Sequence, residues 1–297
     1  VDVPDQLTQD ILVFIKQGHS PFFQEKIMNI KIHNYSLYTE DSGPRTGEVI
    51  VFLNDVMAST SSWYYYSKRL NEFGYRTILH DFRGQLKSDP LTHVYTFENH
   101  AKDTYDLLAE LGIKKAHFIG TSYGGEVALK IGILFPEIVH SLTIIDSVSE
   151  LDDALIGDIQ NWIELGQKKD GYQFFWGMAK SIYGKTFMEK NKSFLEERAR
   201  ATANVPITYF EGQVKLYQTF LADVTMTDKL FLIDKPTLVI WGEDDTLKPV
   251  KFSKTIAREV KDSEFVIIPD AGHVVIFEKP EELMTLILGF IHKHRIL

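Results

Sequence analysis

The 297-residue chain contains no cysteine. That single absence excludes disulfides, zinc-thiolate centres and thiol nucleophiles, and it leaves the redox compartment open. Long apolar runs are also missing: no stretch approaches the roughly 18 to 20 residues that cross a bilayer, so no membrane span is expected. Positive charge is in short supply. With 32 Lys and Arg against 41 Asp and Glu, the net charge is −9. Nucleic acid and anionic membrane surfaces reward clustered basic residues and are therefore not expected partners. His33, His117 and His140 have no HExxH or carboxylate spacing and read as ordinary surface or core residues, so neither a metal nor a cofactor is implied. There is no internal repeat or low-complexity tract. The first residues, Val1-Asp2-Val3-Pro4-Asp5, lack a basic start and an apolar signal core, which points to the cytoplasm. Oligomeric state is not legible.

What is present is 44% hydrophobic and 25% charged sequence, the balance of a globular protein with a large core. Residues 6–17 read as a helix, with Leu7, Ile11, Phe14 and Ile15 at helical spacing, and residues 1–24 form an N-terminal extension. Residues 25–40 read as two strands at an antiparallel edge. From residue 48 short buried runs alternate with helical segments, the rhythm of a mostly parallel sheet. Strands are expected at 49–53, 77–79, 116–119, 141–145, 237–241 and 265–268. Helices are expected at about 63–73, 126–135, 249–260 and 280–292, and another carries Ala101, Tyr105, Leu108 and Leu111 on one face. Residues 147–233 break this rhythm: Ile159, Trp162, Phe174, Phe175, Met178, Tyr217 and Phe220 recur at helical spacing, which marks a helical insertion. Its acidic residues, Asp152, Asp153 and Asp158, read as a solvated face.

The chain is organised around Gly120-Thr121-Ser122-Tyr123-Gly124-Gly125, between a buried strand and an amphipathic helix. Gly-x-Ser-x-Gly in that setting holds a serine at the strained tip of a turn, and Gly120 and Gly124 remove the Cβ atoms that would clash there. A nucleophilic serine needs a base, and the base needs an orienting acid. Two later loops supply them: Gly242-Glu243-Asp244-Asp245-Thr246-Leu247-Lys248-Pro249 after one strand and Pro269-Asp270-Ala271-Gly272-His273 after the next. The chain order is Ser, Asp, His.

Together with Asp81-Phe82-Arg83-Gly84 and Ser88, and with Glu278 and Pro280 after Ala-Gly-His, these motifs resemble the α/β-hydrolase fold superfamily of capped serine hydrolases and esterases, from about residue 25 onward. The resemblance implies an eight-stranded, mostly parallel sheet flanked by helices, with a helical cap inserted after the sixth strand. It divides the chain into a core of residues 25–146 and 234–297 and a cap of residues 147–233. It implies Ser122 as nucleophile, His273 as base and Asp245, rather than Asp244, as acid, with Asp146 as the alternative acid. The Tyr123 and Val56 backbone N–H groups are the implied oxyanion donors. The loop reading Leu53-Asn54-Asp55-Val56 departs from the family, which has His-Gly where this chain has Asn54-Asp55. Asn54 can replace the histidine as a hydrogen-bonding wedge, whereas Asp55 brings a carboxylate toward a site that must stabilise negative charge. Leu86 replaces the second glycine of the Arg-Gly loop, a local turn change. The expected function is hydrolysis of a small or medium carboxylic ester, or a related acyl compound, through an acyl-enzyme on Ser122. The alternatives are a slow-turnover ligand sensor or signalling protein, an acyltransferase and a carbon–carbon bond hydrolase, since the fold alone does not separate these.

Overall fold

A computed structural model describes residues 25–295; the helix expected at 6–17 lies outside them. The chain enters through β1 (Lys26–Ile32) and β2 (Tyr35–Ser42), an antiparallel hairpin in which Ile32 faces Tyr35 across a two-residue turn. His33 takes φ 55° in that turn, the left-handed geometry that a tight hairpin requires. β3 (Val49–Leu53), α1 (Tyr64–Glu72), β4 (Arg76–His80), α2 (Phe97–Glu110), β5 (Ala116–Thr121), α3 (Tyr123–Leu134) and β6 (Val139–Ile145) follow. Five helices then intervene: α4 (Asp153–Gln167), α5 (Gly171–Ile182), α6 (Lys185–Lys190), α7 (Lys192–Ala203) and α8 (Ile207–Asp223). β7 (Thr237–Gly242), α9 (Val250–Glu259), β8 (Ser263–Ile268), α10 (Val275–Glu278) and α11 (Pro280–Lys293) complete the described chain.

The eight strands form one sheet in the order β1-β2-β4-β3-β5-β6-β7-β8. The pairs from β3–β4 through β7–β8 are parallel, and β1–β2 and β2–β4 are antiparallel. The period of two sends alternate side chains to opposite faces. Val51 and Leu53 of β3 join the core with α2, α3 and α9, while Ile50 and Phe52 join Trp63, Leu70, Leu283 and Ile287 on the face covered by α1 and α11. Both faces are covered, so the central strands are almost wholly buried and mostly apolar, as the short runs in the sequence predict.

Two expected helices differ in their starts. α3 begins at Tyr123, directly after the elbow, because Gly124 and Gly125 carry no apolar side chain that could mark its first turn in the sequence. The segment expected from Trp63 opens as a 3-10 turn at Thr60–Trp63 before α1.

The helices between β6 and β7 share their apolar faces with the sheet's core: Trp162, Phe174, Met178, Tyr217 and Phe220 are buried in the same cluster as Val51 and Tyr123. Their aromatics are chiefly packing residues. Asp152 is more than a solvated charge, since its carboxylate accepts from Leu155 N–H at 2.8 Å to cap α4 and also pairs with Lys251 on α9. A cap of this kind is worth about 1 kcal/mol.

Candidate active site

The C-terminal ends of β3, β5, β7 and β8 bring the functional loops together. Ser122 sits at φ 51° and ψ −119° between β5 and α3, a conformation that an L-residue adopts only when its surroundings enforce it. Ser122 N–H donates to Ile145 O at 2.8 Å, and Ser147 Oγ donates to Ser122 O at 3.0 Å. The glycines make this possible: a Cβ on Gly120 would stand 2.2 Å from Gly124 O, and one on Gly124 would stand 2.1 Å from Leu53 O.

The loops after β7 and β8 deliver Asp245 and His273. Asp245 Oδ1 accepts from the backbone N–H groups of Leu247 and Lys248, each at 2.9 Å, and Asp245 Oδ2 lies 2.8 Å from His273 Nδ1. A carboxylate in that position assigns the proton to Nδ1 and leaves Nε2 to accept. Nε2 is 2.9 Å from Ser122 Oγ, so the serine hydroxyl donates to the imidazole. Ser122, Asp245 and His273 are all buried. Asp244, the neighbour of Asp245, points to solvent. Glu278 braces the histidine loop against the inserted helices, accepting from Gly272 N–H and Gly184 N–H at 3.0 Å each.

Asp146, the alternative acid, has a different environment. It takes φ 47° at the end of β6, and one carboxylate oxygen accepts from Gly242 N–H at 2.8 Å. The other oxygen is buried without a partner. Burial, and then the adjacent Asp245 charge, push its carboxyl well above the usual carboxylate range. It makes no hydrogen bond to His273 among those of the described residues.

In the loop after β3, Asn54 fills the wedge position. Its Nδ2 donates to His80 O, Asp81 Oδ1 and Gln85 Oε1 at 3.0 to 3.2 Å, and its Oδ1 accepts from Trp63 Nε1 at 3.0 Å. Asp55 folds back so that its carboxylate accepts the Val56 N–H. That N–H is the expected second oxyanion donor, and here it is engaged. Tyr123 N–H belongs to the first turn of α3, where backbone donors have no intrahelical partner.

Above these loops is a cavity of about 30 Å³ lined by Asp55, Met57, Thr121, Tyr183, Arg198 and Phe277 among others. That is room for one or two water molecules. Arg198, from α7, stacks over Phe277 at 4.8 Å, and its Nε is buried without a hydrogen-bond partner. No cluster of three or more His, Cys, Asp or Glu side chains suited to a metal exists among the described residues, and no described helix is long and apolar enough to cross a membrane.

Sequence reasoning missed two residues at the nucleophile. Lys248 Nζ lies 3.1 Å from Ser122 Oγ and 2.8 Å from Glu126 Oε1. The signal that could have found them was their offset from the motif residues: Glu126 stands four after Ser122, one helical turn along α3, and Lys248 stands three after Asp245.

A family model described as alpha/beta hydrolase fold matches residues 48–280. The chain is 26% identical over 265 residues to 3-oxoadipate enol-lactonase 1 of Acinetobacter baylyi, covering 86% of this chain and 93% of that protein. It is 23% identical to a 2-hydroxy-6-oxononadienedioate/2-hydroxy-6-oxononatrienedioate hydrolase of a Pseudomonas species, covering 87% of this chain and 92% of the other. Among solved structures it is similar to a thermophilic esterase of Thermogutta terrifontis, with a TM-score of 0.79 at 24% identity over 92% of this chain and all of the other.

Proposed function

Since the chain belongs to the α/β-hydrolase fold family and is a hydrolase, we propose that it cleaves a small or medium carboxylic ester or lactone through an acyl-enzyme on Ser122. The observation that carries this reading is the continuous hydrogen-bonded line from Asp245 through His273 to Ser122 Oγ, at 2.8 and 2.9 Å, on a strained elbow. Asp245 orients the imidazole, whose Nε2 takes the Ser122 proton as Oγ attacks the carbonyl carbon. The carbonyl π pair moves to oxygen, where Tyr123 N–H and Val56 N–H are the donors; for Val56 this requires the Asp55 carboxylate to turn away. Collapse expels the leaving oxygen, which receives the proton from His273. Water then repeats the sequence and releases the acid. Residues 147–233 act as the cap over this site, residues 25–146 and 234–297 as the core, and the cap must shift to admit an acyl chain into so small a cavity.

Arg198 favours a substrate that carries a carboxylate or another acceptor on its acyl part, because its unpartnered Nε faces no protein acceptor. Relatives named as an enol-lactonase and as a hydrolase of oxononadienedioates accord with this. Hydrolysis of p-nitrophenyl esters from acetate to octanoate, alongside esters bearing a terminal carboxylate, tests the reading when wild type and Ser122→Ala are also labelled with a fluorophosphonate. Turnover and labelling should vanish together in Ser122→Ala, a loss of at least about 10⁴-fold. Retention of either in that variant would remove Ser122 as nucleophile.

A further inference from the structure

The pairing of Lys248 with Glu126 is unusual in its location. Lys248 is 2% exposed and Glu126 is not exposed at all, and the two meet behind the nucleophile, with the Lys248 ammonium 5.0 Å from the centre of the Phe220 ring. Apolar side chains of similar volume are generally at least as stabilising in such a place, because a buried ion pair costs the desolvation of both partners. Stability therefore gives no reason for the pair. Its contact with the reacting atom does.

Proton positions define that contact. The Ser122 hydroxyl donates its only hydrogen to His273 Nε2, so the 3.1 Å approach of Lys248 Nζ runs from an ammonium N–H to a lone pair on Oγ. Glu126 fixes the ammonium through Oε1, and that same oxygen is itself held by Val148 N–H at 2.9 Å. We propose that Lys248 is a fourth catalytic residue, an electrophile that stabilises negative charge on the Ser122 oxygen, and that Glu126 is the positioning residue that holds it there. The proposal rests on the reading of Ser122 as nucleophile.

The electron movements make the contact differential. While His273 takes the proton, Oγ gains negative charge before its lone pair has become the new bond to the carbonyl carbon, and the N–H···O contact becomes charge-assisted. In deacylation the C–Oγ bond breaks, its electron pair returns to Oγ, and Lys248 again faces a developing alkoxide until His273 returns the proton. Lys248 keeps its own proton throughout. The ammonium is buried, where a charge acts more strongly than it does in water. The side-chain atom of the proposed reaction that Lys248 Nζ contacts is Ser122 Oγ.

Burial raises the Glu126 carboxyl and the Lys248 ammonium opposes that rise, so removing Lys248 alone would strand a buried acid. The decisive variant is therefore the double substitution Lys248→Met/Glu126→Gln, compared with wild type, Glu126→Gln and Ser122→Ala. Each is assayed with p-nitrophenyl acetate and with a fluorophosphonate, and its melting temperature is recorded. The double variant should melt within a few degrees of wild type, lose about 10- to 100-fold in kcat and in labelling rate, and keep KM within about threefold. Glu126→Gln should lose less kcat than the double variant, again with KM unchanged. A double variant with wild-type kcat and labelling rate would show the pair to be packing only and overturn the proposal. A raised KM at constant kcat would make Lys248 a substrate anchor and overturn it equally. If Ser122→Ala still labels or turns over, the nucleophile assignment itself has failed, an outcome distinct from both.

Discussion

Two loops flank Ser122, one after β3 and one after β7, and each brings a carboxylate to the site with opposite consequences. Asp245, in the loop after β7, takes its donors from its own loop, the N–H groups of Leu247 and Lys248, and offers its remaining oxygen to His273. Asp55, in the loop after β3, takes the Val56 N–H, the donor proposed for the oxyanion. A carboxylate beside a nucleophile thus helps or hinders according to whose donors it consumes. The β7 loop also adds the Lys248 cation, 3.1 Å from Ser122 Oγ. One loop withholds positive potential from the carbonyl oxygen while the other supplies it to the serine oxygen.

The sharpest way to break this comparison is to remove the carboxylate that is well supplied. Asp245→Asn should lower kcat by about 10⁴-fold, because an amide at that position no longer selects the Nδ1–H tautomer. Asp146→Asn, by contrast, should change kcat by no more than a few-fold. The Asp146 carboxyl is pushed up by burial and accepts a single hydrogen bond, and asparagine reproduces both its shape and its tolerance of φ 47°. Steady-state kinetics on a p-nitrophenyl ester decide it. The reverse ranking would move the acid from the end of β7 to the end of β6.

The opposite substitution tests the other loop. Asp55→Gly should free the Val56 N–H for the oxyanion and raise kcat by about 10- to 100-fold, somewhat less than the roughly 100- to 1000-fold that one preorganised donor supplies, because glycine loosens the loop. KM for a neutral ester should barely move. A fall in kcat would mean that the carboxylate has a constructive role, such as orienting substrate or the attacking water, and the contrast between the loops would have to be redrawn.

These two loops also mark the limit of what sequence could reveal. The sheet was legible because a strand covered on both faces is mostly apolar, and Val49–Leu53, Ala116–Ile119 and Thr237–Trp241, broken only by His117 and Thr237, read that way without any tertiary information. The order Ser122, Asp245, His273 was legible because each residue lies in the turn or loop that follows a strand and belongs to a local motif. The departure at Asn54-Asp55 was visible too, but not its effect, since the direction of the Asp55 side chain is a torsion that no spacing encodes. Lys248 and Glu126 lie 122 residues apart, and each alone reads as a surface charge on a loop or a helix. Only the fold places them behind one oxygen.

The smallest expected effect concerns a buried titratable group that has no hydrogen-bond partner at all. His100, on α2, is fully buried with neither ring nitrogen hydrogen-bonded, and it packs among Phe82, Tyr95 and Tyr123 with ring centroids 4.8 to 5.5 Å away. Burial, and then the nearby His80 and Arg83, lower its pKa to about 3, from an ordinary value of 6.5. The folded protein therefore keeps His100 neutral where the unfolded chain takes up a proton, and this residue's contribution to stability declines as pH falls from about 6.5 toward about 3. The raised carboxyls of Asp81 and Asp103, at about 6 each, slope the other way between about 4 and 6, so the pH dependence of the wild type alone does not isolate His100. A difference does. Relative to wild type, His100→Phe should gain about 1.4 kcal/mol, a tenfold change in the folding constant, on going from pH 7.5 to pH 5.5, whatever its offset at pH 7.5. Urea denaturation of both proteins at the two pH values measures it. A gap that does not change with pH would show that the folded state protonates His100 as readily as the unfolded chain does, and that burial without hydrogen-bond acceptors does not hold this group neutral.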